Sequence, residues 1–262
     1  MGFINNLNGT IADSFVHKYS ILNKFAQFCI NSNILKENKV FQDFSISTAV
    51  EAPIDDYQLA LVQPVRFIKN YVNKDTITNA MLKNPNIARI LKNNNLSCEF
   101  NLENVNSIIM SHLIPTARTA QKIYKNMGHD INDANYLLIT QAALLHDIGK
   151  IFIPQEILNK RGKLSPKERS IIELHNKLSY EILKTTNLDS KVAQLALEHH
   201  DYESSITRSE ENQAITIADV YCALKEDRPY KKPITDICAK AILYDMGTKG
   251  CFDARYINYL NA

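Results

Sequence analysis

The chain has 262 residues, 45% of them hydrophobic, enough for a sizeable core in one large domain or two small ones. Thirty basic against 28 acidic residues leave a formal charge of +2, so no whole-molecule field points to a nucleic-acid polymer or an anionic membrane as partner, and any phosphate recognition must be local. Cys29, Cys98, Cys222, Cys238 and Cys251 form no CxxC pair, no basic segment leads into an apolar run, and nowhere do 18 consecutive apolar residues occur; the expectation is a cytoplasmic protein with free thiols, no signal peptide and no membrane span.

With only 7 Gly and 8 Pro, and apolar residues recurring three and four apart, the chain reads as all-α. Phe15, Val16, Tyr19, Ile21, Leu22, Phe25, Phe28 and Cys29 share one face of a helix over 15–34. Residues 41–50 fit a strand or an irregular connection, Pro53 and Pro64 interrupt the next stretch, and a helical pattern returns over 75–91. The Asn-rich run 92–95 then suggests a break, with a mostly helical N-terminal region over 1–100 and a second domain over 101–262. In that domain Asn106 can cap a helix running through His112 to about Met127, with Gly128 as its stop. Asn132 or Asp133 starts the next, an apolar run ending at His146 and Asp147. Ser165-Pro166-Lys167-Glu168 is a capping box opening a helix to about Leu183 that carries His175. Asp189 caps a helix ending at His199 and His200, residues 214–224 hold Asp219, and Thr235 starts a helix to about Met246.

Histidines and carboxylates therefore gather at helix ends in the second half. An ionised aspartate among leucines is costly unless a cation or donors compensate, and imidazole with carboxylate suits transition metals. A lone histidine is more often a satisfied core residue than a ligand, and His17 and His129 are read that way. HDIGK after an apolar helix, and the adjacent pair His199 and His200, have no evident packing purpose and point to a metal.

The segments LLHDIGKIFIPQEIL, LSPKERSIIELHNKLSYEIL, LALEHH and IADVYCALKEDRPYKKPIT, in that order, resemble the HD-GYP family, a branch of the HD superfamily; the likeness runs from about Ser107 to Asn261, with GTKGCFDARYINYL similar to the family's closing helix. The resemblance implies an HD-domain helical bundle with two divalent transition metal ions, Fe or Mn before Zn. One ion would be held by His112, His146, Asp147 and Asp219, the other by His175, His199 and His200, with Asp147 bridging. Some members hold a third metal through a glutamate one turn before the first histidine; Ile108 stands there, so two are expected. A paired-metal site implies attack of an acidified water on a phosphate ester. Asp147 and Lys150 are the candidate catalytic residues, Lys150 also as a contact for phosphate oxygens. Arg228 has a family counterpart that contacts substrate or else pairs with a carboxylate, and Tyr202 is a candidate stacking residue for a base.

The Gly-Tyr-Pro loop that names the family, associated with cyclic di-GMP, is missing: DYESSITRSEENQAITIAD follows His200, with Asp201 standing where the family has a glutamate that orients a histidine. Three functions remain open. The first is a metal-dependent phosphodiesterase acting on a cyclic dinucleotide, cyclic di-GMP foremost, or another nucleotide. The second is a non-catalytic signalling domain that keeps its metals and binds a nucleotide or a protein partner, with self-association through residues 1–100. The third is oxidative chemistry at a di-iron site.

Overall fold

The computed structural model describes residues 56–202, 208–227 and 232–260. The helix expected over 15–34, the strand or connection over 41–50, His17, Cys29 and Arg228 lie outside the described residues. Among those described every regular element is helical and no strand occurs. None of these helices is long and apolar enough to cross a membrane.

The first four described helices are α1 Asp56–Val62, α2 Pro64–Tyr71, α3 Lys74–Lys83 and α4 Pro85–Asn93. The pattern read as one helix over 75–91 is thus two. Pro85 offers no N–H and disfavours helical backbone in the residue before it, so Asn84 is extended, at φ −129° and ψ 94°. Asn84 then caps α4 through the Asn86 N–H, and its amide donates to the Glu181 carbonyl at 3.0 Å and carboxylate at 2.6 Å. Ile87 and Leu91, four apart and fully buried, form the packing face of α4, each side chain contributing roughly 1.5–3 kcal/mol.

A short α5, Glu103–Asn106, precedes a π-helical turn, Ile109–Leu113, that passes into α6, Ile114–Asn126. The expectation of a regular helix capped by Asn106 is corrected here. Pro115 cannot bond to the carbonyl four residues back and crowds it, and the chain takes up an extra residue. The Leu113 N–H bonds to Ile108 O and the Ile114 N–H to Ile109 O, both five residues back. His112 sits in this turn. Gly128 stops the helix with φ +101°, a conformation that costs a glycine little.

Asp133 caps α7, Ala134–Leu145, by accepting from the Asn135 N–H at 2.8 Å. Residues 139–145 of α7 are all buried, as expected of a helix that is apolar around its circumference and lies in the middle of a bundle. A 3-10 turn, Ile148–Phe152, leads to α8, Gln155–Leu158, and α9, Pro166–Leu183. Both halves of the α9 capping box form: Glu168 N–H to Ser165 Oγ at 3.2 Å, and Ser165 N–H to Glu168 Oε2 at 2.7 Å. Asp189 caps α10, Ser190–Glu198; Ser209 caps α11, Glu210–Lys225; and Thr235 caps α12, Asp236–Thr248. The segment similar to a closing helix is a 3-10 helix, Ala254–Leu260.

Helix α7 is packed by α6, α10, α11 and α1, while α3 and α4 pack on α9. One large apolar cluster runs from Leu59 in α1 to Leu260, and a smaller one gathers Ile234, Cys238, Ala239 and Ile242. Buried Asn104 joins the segment before α6 to the 3-10 turn, donating to Lys150 O at 2.9 Å and Ile153 O at 2.8 Å. Among the described residues Cys98, Cys222, Cys238 and Cys251 form no disulfide.

Candidate metal centre

The two histidines that follow α7 and α10 have a local reason to point as they do. The last carbonyls of a helix lack intrahelical partners, and a ring nitrogen can take one of them. His146 Nδ1 lies 2.8 Å from Ala143 O and His199 Nδ1 2.8 Å from Ala196 O, each three residues back. In α9 His175 Nδ1 does the same with Ile172 O at 2.6 Å. A carbonyl oxygen only accepts, so all three rings carry a proton on Nδ1 and turn Nε2 towards a common interior.

Six of the seven donors proposed from the sequence are buried there: His112, His146, Asp147, His175, His199 and Asp219. His200 is the partly open one, its side chain 30% exposed. His112 Nε2 lies 3.0 Å from Asp219 Oδ1 and 3.6 Å from Asp147 Oδ2, and His146 Nε2 lies 3.6 and 3.4 Å from the same two atoms. On the other side His175 Nε2 is 3.2 Å from Asp147 Oδ1, and His200 Nε2 is 3.6 Å from Asp219 Oδ2. Asp147 thus faces both groups. Three sets of donors, His175 with His199 and His200, His112 with His146 and Asp147, and His146 with His199 and Asp219, each lie within 4.8 Å of one another and could hold a metal ion.

Burial holds the His175 ring down to about 3, against the pull of Asp147, and holds His199 well below the usual imidazole range, with His200 and His146 adding to the effect. Both rings are therefore neutral near pH 7. Their Nε2 atoms nevertheless face each other at 3.3 Å, with both Nδ1 protons already given to carbonyls. Two lone pairs so close repel unless a cation lies between them. Two nitrogens of one tetrahedral ion, each about 2.0–2.1 Å from it, would be separated by about this distance.

At His146 burial opposes charge, but Asp147 and Asp219 overcome it and lift the ring to about 10. Burial likewise works against ionisation of the two carboxylates. Lys150 and His146 outweigh it at Asp147, and His112 and His146 at Asp219, so both sit well below the usual carboxylate range. His146 Nε2 and Asp147 Oδ1, both fully enclosed, have no hydrogen-bond partner. A cation suits that pair of atoms, and the donor set fits a divalent transition metal.

Lys150 places Nζ 2.5 Å from Asp147 Oδ2 and is 16% exposed, between the buried carboxylate and solvent. The Tyr202 hydroxyl is 3.0 Å from His200 Nδ1, and the Arg208 guanidinium lies over the Tyr202 ring at 5.8 Å from its centroid. Asp201, expected to orient a histidine, is exposed. His129 is remote from the cluster, stacked on Tyr124 with 3.9 Å between centroids and paired with Glu210 at 2.8 Å.

Two contributors have no counterpart in the sequence pattern. Ser179 Oγ donates to His146 O at 2.6 Å and accepts from the Gly149 N–H at 2.9 Å, fastening the HDIGK segment to α9. Both bonds are buried and span thirty residues or more, so no local pattern announces them. Ser179→Ala leaves that N–H and carbonyl without partners and should lower stability by about 1–3 kcal/mol, read as a fall in the thermal midpoint of the chelator-treated protein. A midpoint matching the parent would mean these bonds do not fasten the segment. The other contributor, Glu226, places Oε2 3.8 Å from His112 Nδ1. The one signal for it is the seven-residue spacing from Asp219, two helical turns on one face of α11.

The HD domain family matches residues 109–224. The chain is 34% identical over 141 residues to the cyclic di-GMP phosphodiesterase response regulator RpfG of Xanthomonas campestris pv. campestris, a match covering 50% of this chain and 37% of that protein. It is 33% identical over 122 residues to 3'3'-cGAMP-specific phosphodiesterase 3 of Vibrio cholerae, covering 43% and 26%, and 37% identical over 103 residues to a cyclic di-GMP phosphodiesterase of Thermotoga maritima, covering 35% and 28%. The matches thus span little more than a third of these relatives at most. Residues 109–224, the stretch that holds all seven donors, are similar to the HD domain family.

Proposed function

We propose that the chain is a metal-dependent phosphohydrolase, a phosphodiesterase that opens a cyclic dinucleotide. The observation that carries this reading is the convergence of the His175 and His199 Nε2 atoms, 3.3 Å apart, while each ring's Nδ1 faces a backbone carbonyl. Relatives named for hydrolysis of cyclic di-GMP and 3'3'-cGAMP support the substrate class. In this reading His112, His146, Asp147 and Asp219 would hold one divalent ion and His175, His199 and His200 a second, with Asp147 shared between them. Fe and Mn are favoured by the mixed imidazole and carboxylate donors, and Zn is accepted. Such ions supply an acidified water and charge for the phosphoryl oxygens.

The residues of the chain do the rest. His200 and Lys150, the partly exposed members, mark the side from which a phosphodiester enters. The Lys150 ammonium stands at that mouth and stabilises charge that develops on non-bridging oxygens. Tyr202 completes the proposed substrate side by holding His200 and offering its ring to a base; Arg228, outside the described residues, is proposed as a substrate contact on the resemblance alone. The division near residue 100 then separates roles and not cores: α3 and α4 pack on α9, the helix carrying His175, and offer a route by which a partner or second copy bound to the N-terminal region acts on the site.

Protein reloaded with Mn(II) or with Fe(II) under exclusion of oxygen, incubated with cyclic di-GMP or 3'3'-cGAMP and resolved by chromatography, tests the reading. Linear dinucleotide or mononucleotide is expected; tight binding without product would select the binding-only alternative. Lys150→Gln should lower kcat/KM roughly 100-fold, the scale for one lost charge-stabilising donor, with metal content retained. Unchanged kinetics would return Lys150 to a purely structural pairing with Asp147.

A further inference from the structure

Three of the buried histidines satisfy Nδ1 with a carbonyl three residues back; His112 does not. Its π-helical turn has already committed the nearby carbonyls, Ile108 O to the His112 and Leu113 N–H groups and Ile109 O to the Ile114 N–H. The group facing His112 Nδ1 is Glu226, with Oε2 at 3.8 Å. Glu226, the C-cap residue just past α11, is 8% exposed and is anchored by the Ser111 hydroxyl, which donates to Oε1 at 2.8 Å. An acidic side chain at a helix C-terminus is opposed by the helix dipole, and burial adds to that cost. The helix dipole thus works against a glutamate here, and the His112 imidazole is a group it faces.

We infer that Glu226 is a positioning residue for the metal centre: its carboxylate faces the Nδ1 side of the His112 ring, orients the ring and strengthens Nε2 as a donor. A carboxylate behind a ligating imidazole raises the basicity of the ligand, and loss of such a partner typically costs 10–100-fold in metal affinity. At 3.8 Å the contact is longer than a hydrogen bond, and it closes when a cation draws charge onto the ring. The inference rests on the metal-centre reading and adds that His112 is held differently from His146, His175 and His199, by a side chain just past α11 in place of its own backbone.

The test is a Mn(II) titration of the chelator-stripped full chain followed by electron paramagnetic resonance, on the parent, Glu226→Gln, Ser111→Ala and His112→Ala. Gln keeps the size of the side chain and its acceptor for Ser111 while removing the charge. Two classes of site are expected in the parent. In Glu226→Gln the class that His112→Ala abolishes should weaken by about 10- to 100-fold, the other staying within about twofold. Ser111→Ala should weaken the same class by a smaller factor. The thermal midpoint of metal-free Glu226→Gln should not fall, since the substitution removes a charge that the dipole opposes. Parent-like Mn(II) binding in Glu226→Gln, or a lowered metal-free midpoint with binding intact, would overturn the inference and leave the centre standing. A parent that takes up no Mn(II) would overturn the centre itself.

Discussion

Asp147→Asn is expected to remove metal and turnover together. The Asp147 carboxylate is 1% exposed and lies against His112, His146 and His175 at 3.6, 3.4 and 3.2 Å, the contact that joins the two donor groups. Asparagine matches its shape but brings no charge, and one of its two terminal atoms becomes a donor aimed at imidazole nitrogens or at Lys150. Metal content should fall below one ion per chain from the two that a paired site holds, and kcat/KM by more than the roughly 100-fold that loss of an outer partner costs. Because Asp147 also offsets the charges of Lys150 and His146, the metal-free variant should lose on the order of 3 kcal/mol. Elemental analysis, kinetics and thermal denaturation read the three effects. Full metal content in this variant would contradict the bridging role.

How much of this is legible in the sequence depends on how far apart the interacting residues are. Helix starts at Asp133, Ser165, Asp189 and Thr235 and the stop at Gly128 are set within a turn or two of chain, and they stand where the pattern puts them. The π-helical turn at His112 and the split at Asn84 escape the apolar period, which continues through Pro115 and Pro85 even though each deletes a backbone donor. The donor residues can be named from clustering and resemblance, and the structure brings all seven together. How each ring is turned cannot be read from the chain. Ser179 stands 33 positions from His146, whose carbonyl it holds, and Glu226 115 positions from Ser111, which anchors it. Such pairings exist only once α7, α9 and α11 have packed.

Gly149→Ala carries the second large effect. A Cβ on Gly149 would stand 2.2 Å from His175 O, 2.7 Å from Ser179 N and 2.9 Å from Leu178 Cβ. The first two are backbone atoms of α9, so no side chain can swing aside; the 3-10 turn or the helix must move. Moving the turn breaks the Gly149 N–H to Ser179 bond and displaces Asp147, two residues away. Overpacking of this kind costs typically 1–3 kcal/mol, and the lost bond about 1 more. For a protein of this size the thermal midpoint should drop by about 2–4 °C per kcal/mol, on the order of 10 °C in all. Metal uptake should weaken in the same variant, because Asp147 and His175 are displaced relative to each other. Gly162→Ala is a useful contrast: that glycine has φ +118° and nothing within 4 Å of the place a methyl would take, so its cost is local backbone strain with the centre untouched. A Gly149→Ala protein with parent-like midpoint and metal uptake would mean the turn and α9 do not meet as closely as described.

If the converging Nε2 atoms and carboxylates exist to hold metal, the protein should carry it through purification. Elemental analysis by mass spectrometry of protein purified without chelator, with Asp147→Asn purified beside it, decides the matter. Close to two transition metal ions per parent chain are expected, as in a paired site, and less than one in the variant. A parent protein free of metal, and still free after incubation with Fe(II), Mn(II) and Zn(II), would contradict a metal centre here.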